Sequence, residues 1–182
     1  IMAISIEDIK KLRSMTGAGL ADVKKALTEA EGDFDKAKDL LRERGLAIAA
    51  KRSDRETSNG CVLVKCVPGF AAMVAVKCET DFVAAGKDFI QLTQDILDAA
   101  VAAKCKTLDE VKALKLAGGD DAATAVQHRS GITGEKMEID GYNFLEGDNI
   151  SVYDHMGRHT LATMVQLSAN NEDAGHKIAM QV

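Results

Sequence analysis

Two histidines four residues apart, His155 and His159, are the first candidates for chemistry in this chain of 182 residues. On a helix that spacing aligns two imidazoles for a metal ion. Gly157 lies between them, however, and the local Y-D-H-M-G-R of Tyr153 to Arg158 reads as a hairpin turn, so both are taken as polar loop residues. Gly17-x-Gly19 is a fragment of a phosphate-binding loop, but no strand precedes it and Lys24 is not in the lysine position of such a loop. The chain is therefore expected to bind no nucleotide and to need no cofactor or metal. Cys61, Cys66, Cys78 and Cys105 form no C-x-x-C pair, and the first three fall in apolar, strand-like segments. Buried free thiols in a reducing compartment explain them. No nucleophile with its base and no pair of carboxylates occurs at a workable spacing, so an enzyme is not expected.

What stands out instead is presentation. Cys78 to Val83 reads C-E-T-D-F-V, an acidic residue and an aromatic placed where an apolar strand ends and a helix begins. Thr80 and Asp81 occupy N-cap positions. Phe82 is one of five phenylalanines in a chain with two tyrosines and no tryptophan. Two readings are open: the ring is offered to a partner from a connection on a rigid scaffold, or it plugs the corner of its own domain. The T-G-A-G of Thr16 to Gly19 leaves a similar choice. Its glycines let the backbone approach a partner while Leu20 and Ala21 begin a contact ridge, or they only make the turn and Leu20 is core. Met15, Met73 and Met137 are read as gap-fillers in cores.

The elements that must position these residues are legible in outline. A head over residues 3–45 carries three helices, with Ser5 and Asp8 in capping-box positions and Ile4 and Ile9 in staple positions. Ile6, Ile9 and Leu12 form the first apolar stripe, Leu20, Val23, Leu27 and Ala30 the second, and Phe34, Ala37, Leu40 and Leu41 the third. Gly17 and Gly19 break the chain before the second helix, and Gly32-Asp33 stops it and caps the third. Residues 46–59 turn charged and read as a short helix followed by a linker. Cys61 to Cys66 and Ala71 to Cys78 pair as a hairpin across a Pro68-Gly69 type II turn. Helices are expected at 88–103, 108–116 and 121–128, and strands at 136–140, 150–153 and 160–167, giving an α+β core after an all-α head. Ala174, Ile178 and Val182 repeat at helical spacing and then the chain stops without a helix-ending residue, which reads as a truncated element.

Composition narrows the function. A net charge of −5 argues against a broad basic surface for nucleic acid and fits a protein partner. No apolar run approaches a membrane span and no signal-peptide pattern occurs, so the expected location is cytoplasmic, or an organellar matrix. Ile1 ahead of Met2 reads as an added residue.

Leu12 to Leu27 reads L-R-S-M-T-G-A-G-L-A-D-V-K-K-A-L, and with C-E-T-D-F-V in this order it resembles the two signature segments of the bacterial-type elongation factor Ts family. G-D-F-D-K-A from Gly32, Y-D-H-M-G-R from Tyr153 and H-K-I-A-M from His176 extend the resemblance over nearly all of residues 3–182. It implies a guanine-nucleotide exchange factor for elongation factor Tu, acting in translation elongation and itself not an enzyme. It implies a ubiquitin-associated-like head at 3–45, a core subdomain at 60–140, and the beginning of a second, incomplete core subdomain at 141–182. Thr80, Asp81, Phe82 and Val83 would disturb the partner's Mg²⁺ site; Arg13, Leu20, Ala21 and Lys24 would touch its nucleotide domain, and His155 would add a contact. Relatives carry methionines at the two positions after T-G-A-G, so a smaller contribution is expected from Ala21. The alternative of a different class is a helical adaptor whose head binds a ubiquitin-like surface.

Overall fold

The computed structural model describes residues 4–182. Ile1, read as an added residue, and the start of the head at residue 3 lie outside the described residues. The fold is α+β, and the chain divides into two units: residues 4–54 with Gln127–Glu135, and Arg55–Val126 with Lys136–Val182.

The first unit opens with α1 (Ile6–Thr16), α2 (Leu20–Glu29) and α3 (Phe34–Ala50). The Ser5 hydroxyl accepts the Asp8 N–H at 3.0 Å, and the Asp8 carboxylate accepts the Ser5 N–H at 3.2 Å. That is the reciprocal capping box foreseen from the sequence. Gly17 closes α1 in the left-handed region at φ 69°. At the end of α2 the left-handed position is Glu31 (φ 55°), ahead of Gly32 (φ 88°). Glu31 N–H donates to the Thr28 carbonyl and Gly32 N–H to the Leu27 carbonyl, a Schellman closure that begins one residue earlier than the glycine suggests. Leu12, Val23, Ala26, Leu27, Ala30 and Ala37 form the core, with Ile4, Ile9, Phe34, Leu40 and Leu41 against it.

Two residues of the expected stripes, Ile6 and Leu20, and Met15, expected to fill a gap in the core, depart from those readings. Ile6, Met15 and Leu20 are exposed, because each sits at an end of its helix where periodicity still holds but a thin three-helix core no longer reaches. The third helix also runs on: residues 46–50, expected as a separate short helix at the head of the 46–59 linker, belong to α3, and Gly45 is buried within it. The cause lies far along the chain. Gly45 faces Gly131, and a Cβ on Gly131 would fall 2.5 Å from the Gly45 carbonyl oxygen, so the helix carrying Gly131 can approach only because Gly131 lacks a side chain. Residues 127–135 thereby join the first unit and interrupt the continuous 60–140 subdomain.

The second unit is built on β1 (Asn59–Val67), β2 (Phe70–Cys78) and β3 (Met137–Glu146), antiparallel in the order β1-β2-β3. Gly69 at φ 75° makes the type II turn between the first two strands. The boundary expected at 140/141 falls inside β3, which continues to Glu146 past a register shift at Ala75/Val76. After β2 come α4 (Asp81–Ala84), α5 (Lys87–Ala103), α6 (Leu108–Ala113) and α7 (Ala122–Thr133). Helix α5 lays Phe89, Ile96, Leu97, Ala100 and Val101 in one core with Leu63, Phe70, Val74 and Val76 of the sheet. Helix α6 stops before 116 because the Leu114 carbonyl accepts the Ala122 N–H at 2.8 Å instead of continuing the helix. A hairpin of β4 (Ile150–Asp154) and β5 (Ala162–Gln166) forms a second sheet. Helix α8 (Glu172–Gln181) is tied to β5 by the Thr163 hydroxyl, which donates to the Ala179 carbonyl at 2.5 Å. Cys61, Cys78 and Cys105 are buried, but Cys66 is exposed. Its position in β1 is of opposite parity to Cys61 and Leu63, so alternation turns it away from the core.

Candidate functional site

The C-E-T-D-F-V corner is set by the end of the central strand. Cys78 is the last residue of β2 and pairs with Asn59 on one side and Met137 on the other. Its thiol donates to the Thr80 carbonyl at 3.2 Å. Thr80 is extended (φ −119°), and its hydroxyl accepts the Val83 N–H at 3.3 Å, starting the single turn α4. Gly86 follows at once as the N-cap of α5. Within that turn Val83 and Ala84 lean on the core, which leaves Asp81 and Phe82 pointing out. Phe82 is 86% exposed, the highest value among the exposed large apolar residues. The reading in which the ring plugs its own corner is thereby excluded.

Glu79, which sequence reasoning passed over, holds this corner. Its carboxylate accepts the Lys136 N–H at 2.6 Å and pairs with Arg55 at 3.2 Å, while its carbonyl accepts from the Asn59 side chain at 2.9 Å. Glutamate in the motif was visible; its partners are 20, 24 and 57 residues away, a separation no local pattern reports.

In the first unit Arg13, Leu20, Ala21 and Lys24 are all exposed. Leu20 is 59% exposed, which excludes the core alternative for it. Ala18, between the two glycines, is buried and fixes the loop. Leu20, Ala21 and Lys24 lie on one side of the first turns of α2, Arg13 in the last turn of α1, and Met15 adds a second exposed apolar side chain.

The two histidines do not converge. His155 Nδ1 lies 3.1 Å from the Tyr153 hydroxyl, whereas His159 Nδ1 lies 2.6 Å from Asp154 Oδ2. Among the described residues no group of three or more His, Cys, Asp or Glu is arranged to hold a metal ion, and no helix is long and apolar enough to cross a membrane. Burial pushes the Cys61 thiol up to about 11 and raises Cys105 as well. Each shift disfavours the reactive thiolate. Tyr142, pushed up to about 12 by burial, donates to the Cys105 carbonyl at 2.6 Å and serves the core.

Comparison with known proteins identifies the family of this sequence. The family model described as Elongation factor TS matches residues 79–182, beginning at the corner glutamate. An elongation factor Ts of Bacteroides fragilis is 61% identical over 182 residues, covering 100% of this chain and 55% of the relative. That of Parabacteroides distasonis is 58% identical over 181 residues with the same coverage, and that of Porphyromonas gingivalis is 48% identical, with 65% of the relative covered. The chain belongs to the elongation factor Ts family. It spans about half the length of the first of these relatives.

Proposed function

We propose that this chain is a guanine-nucleotide exchange factor of translation elongation that binds elongation factor Tu carrying GDP and promotes GDP release. The observation that carries this reading is Phe82, a large apolar ring held 86% exposed on a corner anchored in the central strand. A GTPase keeps GDP through backbone donors around its phosphates and a Mg²⁺ ion that neutralises their charge. Thr80, Asp81, Phe82 and Val83 would act on that cradle: the ring enters between partner helices beside the Mg²⁺ site, and Asp81 bonds groups that otherwise support it.

Burying one phenylalanine is worth about 1.5–3 kcal/mol, and about 1.4 kcal/mol is a tenfold change in affinity. One ring alone cannot produce a very large acceleration. Arg13, Leu20, Ala21 and Lys24 on the ubiquitin-associated-like head, and His155, supply further binding that is realised when the nucleotide site is open. Linkage makes the effect reciprocal, so rebinding of nucleotide displaces the factor. The protein transforms no substrate, needs no cofactor, contacts no nucleic acid directly and works in the cytoplasm.

The test is a titration of elongation factor Tu loaded with a fluorescent GDP analogue. The chain should accelerate loss of fluorescence to a saturating rate, and Phe82→Ala should lower that rate more than tenfold. An unaltered rate with Phe82→Ala removes the corner from the mechanism.

A further inference from the structure

A tether that only joins two units needs length and polarity and makes few contacts of its own. Residues 55–59, which follow the first unit directly, are bound instead. The Arg55 guanidinium donates to both oxygens of the Glu79 carboxylate, at 3.2 and 3.3 Å. The Thr57 hydroxyl donates to Glu138 Oε1 at 2.5 Å, and Asn59 Nδ2 donates to the Glu79 carbonyl at 2.9 Å. Asn59 opens β1 opposite Cys78 of β2, whereas Glu138 lies in β3 opposite Lys77. Because β2 is the middle strand, a segment that touches β3 at Thr57 and joins β1 at Asn59 passes over the end of β2. That is where the C-E-T-D-F-V corner leaves the sheet. Gly60 keeps the crossing close, since a Cβ there would fall 2.5 Å from the Val76 carbonyl oxygen.

Strand β1 needs none of this in order to pair, because its ladder with β2 begins only at Asn59. The corner does need it. Its helix α4 is a single turn, closed by the Val83 N–H on the Thr80 hydroxyl, the Ala84 N–H on the Thr80 carbonyl and the Ala85 N–H on the Asp81 carbonyl. One isolated turn does not hold its own shape. The geometry points to residues 55–59 as a strap that fixes the direction of the corner, with Arg55 and Thr57 as positioning residues for Thr80 to Val83. This rests on the exchange-factor reading. The Arg55–Glu79 pair is half-exposed on the arginine side, and such a pair holds little alone; the strap works because its contacts converge on Glu79 and the neighbouring strand. A ring that must press on a partner acts only if its root does not swing, so loss of the strap belongs in the rate at saturation and not in affinity.

The fluorescent-GDP titration, run with the full chain and its variants, tests the functional half. Arg55→Ala combined with Thr57→Val should lower the saturating rate about tenfold and leave the half-saturating concentration within about twofold. Glu138 keeps Lys136 as a partner at 3.5 Å in that variant. Arg55→Lys with Thr57→Ser, which retains the charge and the hydroxyl, should recover the rate to within about threefold. A saturating rate within about twofold for the Ala/Val variant overturns the positioning role. So does a raised half-saturating concentration at an unchanged rate, which would make these residues contacts. The structural half is read in the free chain by hydrogen exchange. The amides of Val83, Ala84 and Ala85 should exchange about tenfold faster in the Ala/Val variant, with those of Ile96 and Leu97 in α5 unchanged. Unaltered exchange at 83–85, or equal acceleration in α5, overturns the strap whatever the titration shows. Failure of the unmodified chain to release GDP would sink the exchange-factor reading, and with it the positioning role, and would leave the strap to be decided by the amides.

Discussion

Phe82 and Leu20 are both apolar, both exposed, and both within the first two residues of a helix, yet they stand on different foundations. Phe82 projects from a turn that continues β2, a strand bonded on both sides, over a core that includes the fully buried Phe70 and Phe89. Leu20 opens α2 over a buried set that holds nothing larger than Leu12 and Leu27. A side chain that must deform a partner needs a support that does not yield, whereas one that only adds contact area tolerates a softer one. Under the exchange-factor proposal, the second unit would then do the work on the nucleotide site and the first would add affinity.

The sharpest way to break that comparison is to set two phenylalanines of the second unit against each other. Phe89→Ala should cost about 3–5 kcal/mol of stability by opening a cavity, whereas Phe82→Ala should change it by no more than about 0.5 kcal/mol while exchange collapses. Denaturant melts of the two variants decide it; a loss of several kcal/mol with Phe82→Ala would mean that the ring serves the fold.

Removing the support without touching the ring comes next. Glu79→Ala leaves the Lys136 N–H without its carboxylate and frees Arg55, and should cost about 1–3 kcal/mol. It should also lower the saturating exchange rate although Phe82 is intact. A normal rate would show that the corner needs no anchoring.

For the first unit a weaker effect of another kind is expected. Leu20→Ala should raise the half-saturating concentration several-fold, leaving the saturating rate and the melting temperature close to those of the parent chain. Loss of the saturating rate at unchanged affinity would reverse the assignment of roles.

The smallest effect concerns the cap of α1. Ser5→Ala should cost about 1 kcal/mol at neutral pH. Hydrogen bonds from Ser5 hold the Asp8 carboxyl below its ordinary value. A carboxyl depressed in the folded state contributes stability above its unfolded value and loses it as pH falls through the folded one. The gap in melting temperature between parent and Ser5→Ala should therefore be full at neutral pH and shrink on acidification below the ordinary carboxylate range. A gap that widens with acid would contradict the capping box.

The sequence by itself determined the local devices: the capping box at Ser5, the Gly17 stop, the Pro68-Gly69 turn, the α5 stripe and the Thr80 cap, because each depends on residues within one or two turns of one another. It also marked Thr80 to Val83 and Thr16 to Leu20 as places of presentation, but left open whether Phe82 and Leu20 faced inward or outward. Only the tertiary structure decided that, since exposure depends on where a core ends, and Ile6 and Met15 follow their helical periods past that limit. Long-range contact likewise decided that Gly45 and Gly131 meet and draw residues 127–135 into the first unit. It also made Glu79 the anchor of the corner through Arg55, Asn59 and Lys136. Those pairings join residues 20 to 86 positions apart, and periodicity, which reports only neighbours along the chain, carries no trace of them.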